Sequence, residues 1–228
     1  MDLVQAVKQR KSIRAFTSQA VPKSILEEIM TLALRAPSWA NTQPWEFAIA
    51  TGDKLAEIRR RYVEKAGDTP VPDIPSIAYY PEPYNTRMHT AVAKSHAAKG
   101  IQRENKEHRR EWEIIQLNNM GAPCEIYVCT DRSFYLHDGN TNVWPVYDCG
   151  AIVGMITLLA TNFGLGTIIQ ARAVIYPDII RDVLGLPQSK LLLVGVAIGY
   201  PDWNNPLNQY ETDREPPDKI ISWHGFQE

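Results

Sequence analysis

Three cations surround one serine near the start of the chain, in the segment RKSIRAF at residues 10–16. If this segment is extended, the side chains of Arg10, Ser12 and Arg14 project to one side and that of Ile13 to the other. Two guanidinium groups and a hydroxyl on one face suit a phosphate, because arginine donates paired hydrogen bonds to its oxygens. A solvated basic segment would contain the same residues, so this segment alone leaves both interpretations open.

A second polar segment, APSWANTQPWEF at residues 36–47, lies between an amphipathic pattern and an apolar one. Its prolines restrict the backbone, and Ser38, Asn41 and Gln43 supply hydrogen-bonding groups for a planar heteroaromatic ring. The alternative is a helix stop followed by an asparagine-containing turn. In the tail, Arg214 is either a second cationic anchor for a phosphate or a plain surface arginine.

Other chemistries find little support in the sequence. His89 and His96 are seven residues apart, but no H-E-x-x-H motif or cysteine pair accompanies them, so we expect no metal site. No G-x-S-x-G motif is present, and Cys149 opens an apolar helix, where a buried structural thiol is expected. NFGLG follows a helix and lacks G-x-G-x-x-G, which excludes a dinucleotide-binding fingerprint and indicates a helix end at Gly164.

Composition limits the class of protein. The 228 residues carry a formal net charge of -2, which gives no reason to expect nucleic acid or a membrane surface as the main partner. We see no secretory signal and no apolar run long enough to span a bilayer, the longest being residues 151–160. Three cysteines, an odd number, do not form a disulfide framework, and Cys124 and Cys129 should face opposite sides of one strand. A reduced, cytoplasmic protein is expected.

The elements that must position these segments are helices and strands without regular βαβ spacing, which favours an α+β sheet flanked by helices over a doubly wound sheet. We expect one domain over residues 1–228, with an insertion or lid at about 67–116 that begins in a Pro- and Tyr-rich stretch. The last strand is apolar enough to be central in the sheet. The predicted helices are 2–9, 21–38, 52–66, most of 87–116, 147–164 and 176–184; the predicted strands are 45–51, 124–131, 165–171 and 190–201.

Taken together, RKSIRAF, APSWANTQPWEF, the helix ending in GLGT, the strand AIGYP and the late Arg214 resemble the FMN-dependent nitroreductase family. The resemblance runs from about Val4 to Trp223, apart from the insertion. It implies an intertwined α+β homodimer with FMN at the subunit interface, and NADH or NADPH as the electron donor. It also implies ping-pong hydride transfer through flavin N5 to nitroaromatic or quinone acceptors, with no side chain as catalytic nucleophile.

The resemblance also implies residue roles. Arg10, Ser12 and Arg214 would hold the FMN phosphate end, with Lys11 beside them, and Arg14 would lie near the pyrimidine edge of the flavin. The partner subunit would contribute a set of residues from the second segment: Pro37, Ser38, Trp39, Asn41 and Gln43. Backbone groups of Ile169, Gln170 and Ala171 would approach flavin N5.

Substrate choice is expected to depend on the insertion and on Trp39. Tyr79, Tyr80 and Tyr84 could stack on a planar acceptor, and Arg87 could bind a nitro or carboxylate oxygen, with His89 close by. The alternative is that the insertion wraps around the dimer and does not contact the substrate. Two other functions remain open: a reductive dehalogenase of the same fold, with Glu82, Tyr84 and Lys94 as its clamp, or a non-catalytic flavin-binding or storage protein.

Overall fold

The computed structural model describes residues 1–75, 79–102 and 104–226; residues 76–78 and 103, both within the predicted insertion, lie outside the described part. A four-stranded antiparallel sheet in the order β1-β2-β6-β5 forms the centre, and β3 pairs with β4 as a small hairpin. The strands are β1 (Glu46–Thr51), β2 (Cys124–Asp131), β3 (Leu136–His137), β4 (Asn140–Thr141), β5 (Gly166–Gln170) and β6 (Lys190–Gly199).

Helices cover both faces of this sheet, which agrees with the predicted α+β class. They are α1 (Leu3–Gln9), α2 (Lys23–Ala33), α3 (Gly52–Glu64), α4 (Tyr84–Lys99), α5 (Lys106–Leu117), α6 (Arg132–Tyr135), α7 (Trp144–Asn162) and α8 (Pro177–Leu184). The prediction of one helix over residues 21–38 was too long. Pro37 disfavours helical geometry in the residue before it, and the chain leaves the helix at Leu34 through a turn.

The core lies on both faces of β2 and β6. Cys124 and Ile126 pack with α2 and α7 on one face, while Tyr127 and Cys129 pack with α3 and α8 on the other. The two cysteines therefore face opposite sides, as predicted, and β6 is central. Cys124, Cys129 and Cys149 are buried free thiols, and burial raises the pKa of each to about 12.

Helix α7 is longer than the sequence indicated. An 18-residue window of this 19-residue helix has a mean hydropathy of 1.3 and meets the length and composition of a membrane span, so the expectation that no run is long enough was wrong. Ile152, Val153 and Ile156 of this helix are nonetheless buried against α2 and the sheet. An apolar helix packed into the core of a folded domain meets the same criteria of length and composition.

A buried ion-pair network fastens the start of the insertion to the core. The Asp73 carboxylate contacts both Arg181 of α8 and Arg132, and accepts a hydrogen bond of 2.8 Å from the backbone N–H of Leu192 on β6. The Arg181 side chain is 4% exposed. The Pro-rich stretch is therefore held on the sheet at this point, although its sequence gives no regular structure.

Arg59 of α3, the first of three consecutive arginines, contacts the core. Its guanidinium is partly buried and donates to Asn119 Oδ1 at 3.2 Å and to the Ala122 carbonyl. It lies beside Glu125 of β2, a carboxyl that is 0% exposed and that has the side chain of Asn119 as a further polar neighbour. Burial raises the pKa of Glu125 well above its usual range, and the positive charge of Arg59 opposes that rise.

Gly195 makes room for this carboxyl. A Cβ at residue 195 would lie 2.3 Å from Glu125 Oε1 and 2.4 Å from the Ala173 Cβ, so a larger residue does not fit without displacing one of them. Because residue 195 of β6 has no side chain, the carboxyl of Glu125 on the neighbouring strand β2 can be buried there.

The free energy of unfolding of Glu125→Gln, relative to that of the wild type, should rise with pH. A carboxyl whose pKa is raised in the folded state keeps its proton there and loses it on unfolding, so wild-type stability falls with pH above the unfolded pKa of about 4.3. The glutamine variant lacks this loss, and its advantage over the wild type should grow by up to ~1.4 kcal/mol per pH unit from pH 4.5 upwards. Urea unfolding of both proteins at pH 4.5 and 7.5 measures the difference; an advantage independent of pH would contradict a raised pKa.

Candidate active site

The RKSIRAF segment lies extended along the edge of the sheet. The backbone N–H of Ile13 donates to the Thr167 carbonyl of β5 at 2.9 Å, and the N–H of Thr17 donates to the Tyr200 carbonyl at 2.9 Å. Ile13 is 2% exposed and packs on Gly166, where a Cβ would lie 2.4 Å from Ile13 Cγ1. The isoleucine thus fixes the segment on the sheet and leaves its polar neighbours free to face outwards.

A buried asparagine far along the chain holds the same segment. Asn208, 1% exposed, accepts a hydrogen bond of 2.7 Å from the backbone N–H of Arg14 and donates to the carbonyls of Ala15 at 2.7 Å and Asp202 at 2.8 Å. This link connects the first wall of the site to the tail. No pattern in the sequence indicated it, because the partners are 194 residues apart.

A cavity of about 900 Å³ opens beside this segment, within the size range of small-molecule sites. Arg10, Lys11, Ser12, Arg14 and Arg214 all line it, so the structure brings together five of the residues predicted to hold a phosphate-bearing ligand. The sequence interpretation missed Lys8, Trp203 and Tyr210, which also line it. The described lining residues thus include five cationic side chains and one carboxylate, that of Glu211.

The charges in this cavity repel one another. The pKa of Arg10 is lowered by burial and, secondarily, by the charge of Arg214. Among the described residues Arg10 forms no ion pair, whereas Arg214 donates only to uncharged groups, the carbonyls of Thr212 and Asp213 and the Thr212 hydroxyl, at 2.9–3.2 Å. Two guanidinium groups that line one cavity, neither of them in an ion pair with a described residue, form a site for an anion.

Arg14 occupies a different environment. Its guanidinium donates to the Ser12 carbonyl at 3.1 Å and lies 5.3 Å from the centre of the Tyr210 ring. Burial lowers its pKa, an effect that Tyr210 opposes. Arg14 is thus held rigidly on an aromatic face, on the same wall as Arg10 but with separate partners.

The second polar segment forms a tight, exposed loop. Ser38 Oγ accepts a hydrogen bond of 3.0 Å from the Gln43 N–H, and the Gln43 side chain donates to the Asn41 carbonyl at 3.2 Å. The Trp39 N–H donates to Asp148 Oδ2 at 3.0 Å, and the Trp39 side chain is 57% exposed. Neither these residues nor Pro37 line the cavity of their own chain, so a role at the partner's cavity stays a prediction.

The end of β5 lies away from the cavity. Ile169 is half exposed, Gln170 is buried and Ala171 is exposed, and they follow the cavity-lining Gly166 by three to five residues. At about 3.3 Å per residue, Ile169 lies roughly 10 Å along the strand from Gly166. Their approach to flavin N5 therefore also stays a prediction.

The predicted substrate residues of the insertion differ in their exposure and in their contacts. Tyr80 and Tyr84 are exposed, whereas Arg87 forms an ion pair with Glu215 at 3.0 Å and lies over the Tyr84 ring at 5.6 Å. None of them lines the 900 Å³ cavity. Within the described residues, no group of three or more His, Cys, Asp or Glu side chains could hold a metal ion.

Comparison with known proteins agrees with this geometry. The model of the nitroreductase family matches residues 7–200. A 4-nitrobenzoate reductase of Nocardioides sp. (strain LMS-CY) is 27% identical over 227 residues, covering 95% of this chain and 87% of that protein.

Two solved structures share the fold over nearly their whole length. The FMN and NADPH-dependent nitroreductase NfnB from sphigopyxis sp. strain HMH superposes with a TM-score of 0.92 at 26% identity, covering 99% of this chain and 100% of the other. The FMN-dependent nitroreductase NfnB from Mycobacterium smegmatis, solved in complex with NADPH, has a TM-score of 0.89 at 25% identity, with 97% and 99% covered.

Proposed function

The chain belongs to the nitroreductase family, and on that premise we propose that it is an FMN-dependent oxidoreductase that reduces nitroaromatic compounds with NADPH or NADH. The observation that carries this proposal is the cavity in which Arg10, Ser12 and Arg214 converge. The relatives and structural neighbours described above supply the cofactor and the reaction class. Quinones are a further acceptor class in the proposal.

The residues present fit FMN. Five cationic side chains and the Ser12 hydroxyl suit the phosphate, and Trp203 and Tyr210 add aromatic surface to a cavity of about 900 Å³. When bound, FMN would carry a hydride from the nicotinamide to the acceptor, so that donor and acceptor use the site in turn. Arg10 and Arg214 bind the phosphate, and Arg14, held on Tyr210, supplies a fixed positive charge near the ring system.

The protein also has surfaces suited to a second copy of itself, and we include a homodimer in the proposal. Trp144 and Tyr147 at the start of α7 are exposed, and the exposed Gly150 and Gly154 follow on the same helix with open space at their Cα atoms. Small residues allow another backbone to approach closely, and large aromatic side chains favour burial. In such a dimer Trp39 and its loop would complete the partner's site. A cytoplasmic location is part of the same proposal.

The dehalogenase alternative has weaker support. Its expected acid, Glu82, accepts hydrogen bonds from Thr86 and Asn85, and its expected lysine, Lys94, forms an ion pair with Asp213 at 2.7 Å. Both groups are occupied within the chain. The remaining alternative, a flavin-binding protein without turnover, differs from the proposal only in its reaction with a nicotinamide donor.

Anaerobic steady-state kinetics with 4-nitrobenzoate and a benzoquinone tests the proposal. We expect NAD(P)H oxidation that requires the acceptor, with parallel double-reciprocal lines, because donor and acceptor occupy the same site in turn. Formation of a hydroxylamine from the nitro compound identifies the product. Activity with halophenols and none with nitro compounds would favour the dehalogenase, and no turnover with any acceptor would favour the binding protein.

A further inference from the structure

Helix α4 of the insertion contacts the tail on both sides of Arg214. Lys94 Nζ lies 2.7 Å from both carboxylate oxygens of Asp213, and Arg87 Nε lies 3.0 Å from Glu215 Oε1. Arg87 and Lys94 are seven residues apart, two helical turns, and so lie on one face of α4. The residues immediately before and after Arg214 are therefore both paired with the same helix face.

The two ion pairs leave the side chain of Arg214 pointing away from α4 and towards the cavity. Residues 210–216 form neither helix nor turn, and in an extended chain successive side chains point to opposite sides. Asp213 and Glu215 reach α4, while Arg214 lines the cavity together with Arg10. The carboxylate of Glu215 also lies 3.8 Å from Lys219, an exposed neighbour on the same tail.

Arg214 needs such support because its own contacts do not fix it. Within the described part of the chain its guanidinium donates only to the neighbouring Thr212 and Asp213, and it stands close enough to Arg10 for their charges to repel. Without restraint, the tail would relieve this repulsion by turning the guanidinium towards water. The two ion pairs with α4 oppose that movement before any anion is bound.

We propose that Lys94 and Arg87 are positioning residues, and that α4 of the insertion holds Arg214 at the phosphate end of the cavity through Asp213 and Glu215. The inference rests on the proposed function, because it assigns the cavity to the phosphate of FMN. It gives the insertion a role in cofactor affinity. It also gives Arg87 a role different from the substrate contact expected from the sequence.

The test compares FMN with riboflavin, which lacks the phosphate, by fluorescence titration of the full-length apoprotein. Lys94→Glu places a carboxylate beside Asp213, and we expect it to weaken FMN binding by up to about fivefold. Riboflavin binding should be unchanged, because riboflavin makes no use of Arg214. The double variant Lys94→Glu/Asp213→Lys restores an ion pair with reversed polarity and should recover wild-type FMN affinity.

Three further variants control for net charge and for folding. Lys99→Glu makes the same charge change in the last turn of α4, outside the two ion pairs with Asp213 and Glu215, and should have a smaller effect at physiological salt. Arg87→Glu, alone and with Glu215→Arg, repeats the experiment at the other ion pair, so that a failure of one variant to fold does not decide the result.

The outcomes separate the inference from the proposed function. Wild-type apoprotein that binds FMN, with a Lys94→Glu variant of equal affinity, overturns the positioning role. So does an equal loss of FMN and riboflavin binding, or a charge-reversed pair that fails to recover affinity. Wild-type apoprotein that binds no FMN overturns the proposed function and this inference with it.

Discussion

Replacing Asp73 by alanine should lower the free energy of unfolding by about 3 kcal/mol, the largest stability effect we expect from a single charged residue. The carboxylate contacts Arg132 and Arg181 and accepts the Leu192 N–H. Its removal leaves the buried Arg181 with Asp178 and the Lys190 carbonyl as its remaining partners, at 2.9 Å each. Breaking one side of a buried ion pair costs more than the pair contributes, because the other charge remains out of water.

Asp68→Ala is the matched control for this prediction. Asp68 lies in the same stretch of chain, but its carboxylate is exposed and pairs with Lys65 at 3.5 Å. An exposed pair contributes at most about 1 kcal/mol, so the control should unfold close to the wild type in urea. An Asp73→Ala midpoint that coincides with that of Asp68→Ala would show that the network does not hold the insertion on the core.

Arg10→Ala should weaken FMN binding by about 10- to 100-fold, the loss expected for a hydrogen bond between charged groups. Arg10 lines the cavity opposite Arg214 and forms no ion pair among the described residues, so its charge is available to a phosphate. Riboflavin affinity should change little. Titration of both ligands measures the difference, and equal losses for FMN and riboflavin would remove Arg10 from the phosphate site.

Arg14→Ala tests the second arginine on the same wall of the cavity and is compared with Arg10→Ala. Its guanidinium lies over Tyr210 and donates to the Ser12 carbonyl, which separates it from the Arg10–Arg214 pair. We expect Arg14→Ala to lower the reduction potential of bound FMN and to affect affinity less than Arg10→Ala does, because a nearby cation favours added negative charge on the ring. Equal effects of the two variants on affinity, with no change in potential, would contradict this division of roles.

Local patterns were sufficient for much of the fold. Apolar runs and turn residues predicted the central strand β6, the helix ending near Gly164 and the opposite facing of Cys124 and Cys129, because each depends on residues close in sequence. The extended geometry that the sequence argument assumed for RKSIRAF is observed, with Ile13 on the buried side.

Contacts between distant segments could not be predicted in this way. Asn208 holds Arg14 across 194 residues, and Lys94 reaches Asp213 across 119, yet neither pair leaves a periodic signal. The position of Arg59 gives no local signal for the same reason: its partners, Asn119 and Ala122, follow the insertion. The residues of the site could be proposed from sequence, but the contacts that hold them in place required the structure.

The central claim is that the cavity between RKSIRAF and the tail binds FMN for electron transfer from a nicotinamide donor. The most direct measurement is the absorbance spectrum of the purified protein, before and after anaerobic addition of NADPH or NADH. The account predicts a yellow protein that releases FMN on denaturation and whose visible absorbance is bleached by at least one donor. A colourless protein that cannot be reconstituted with FMN would contradict it.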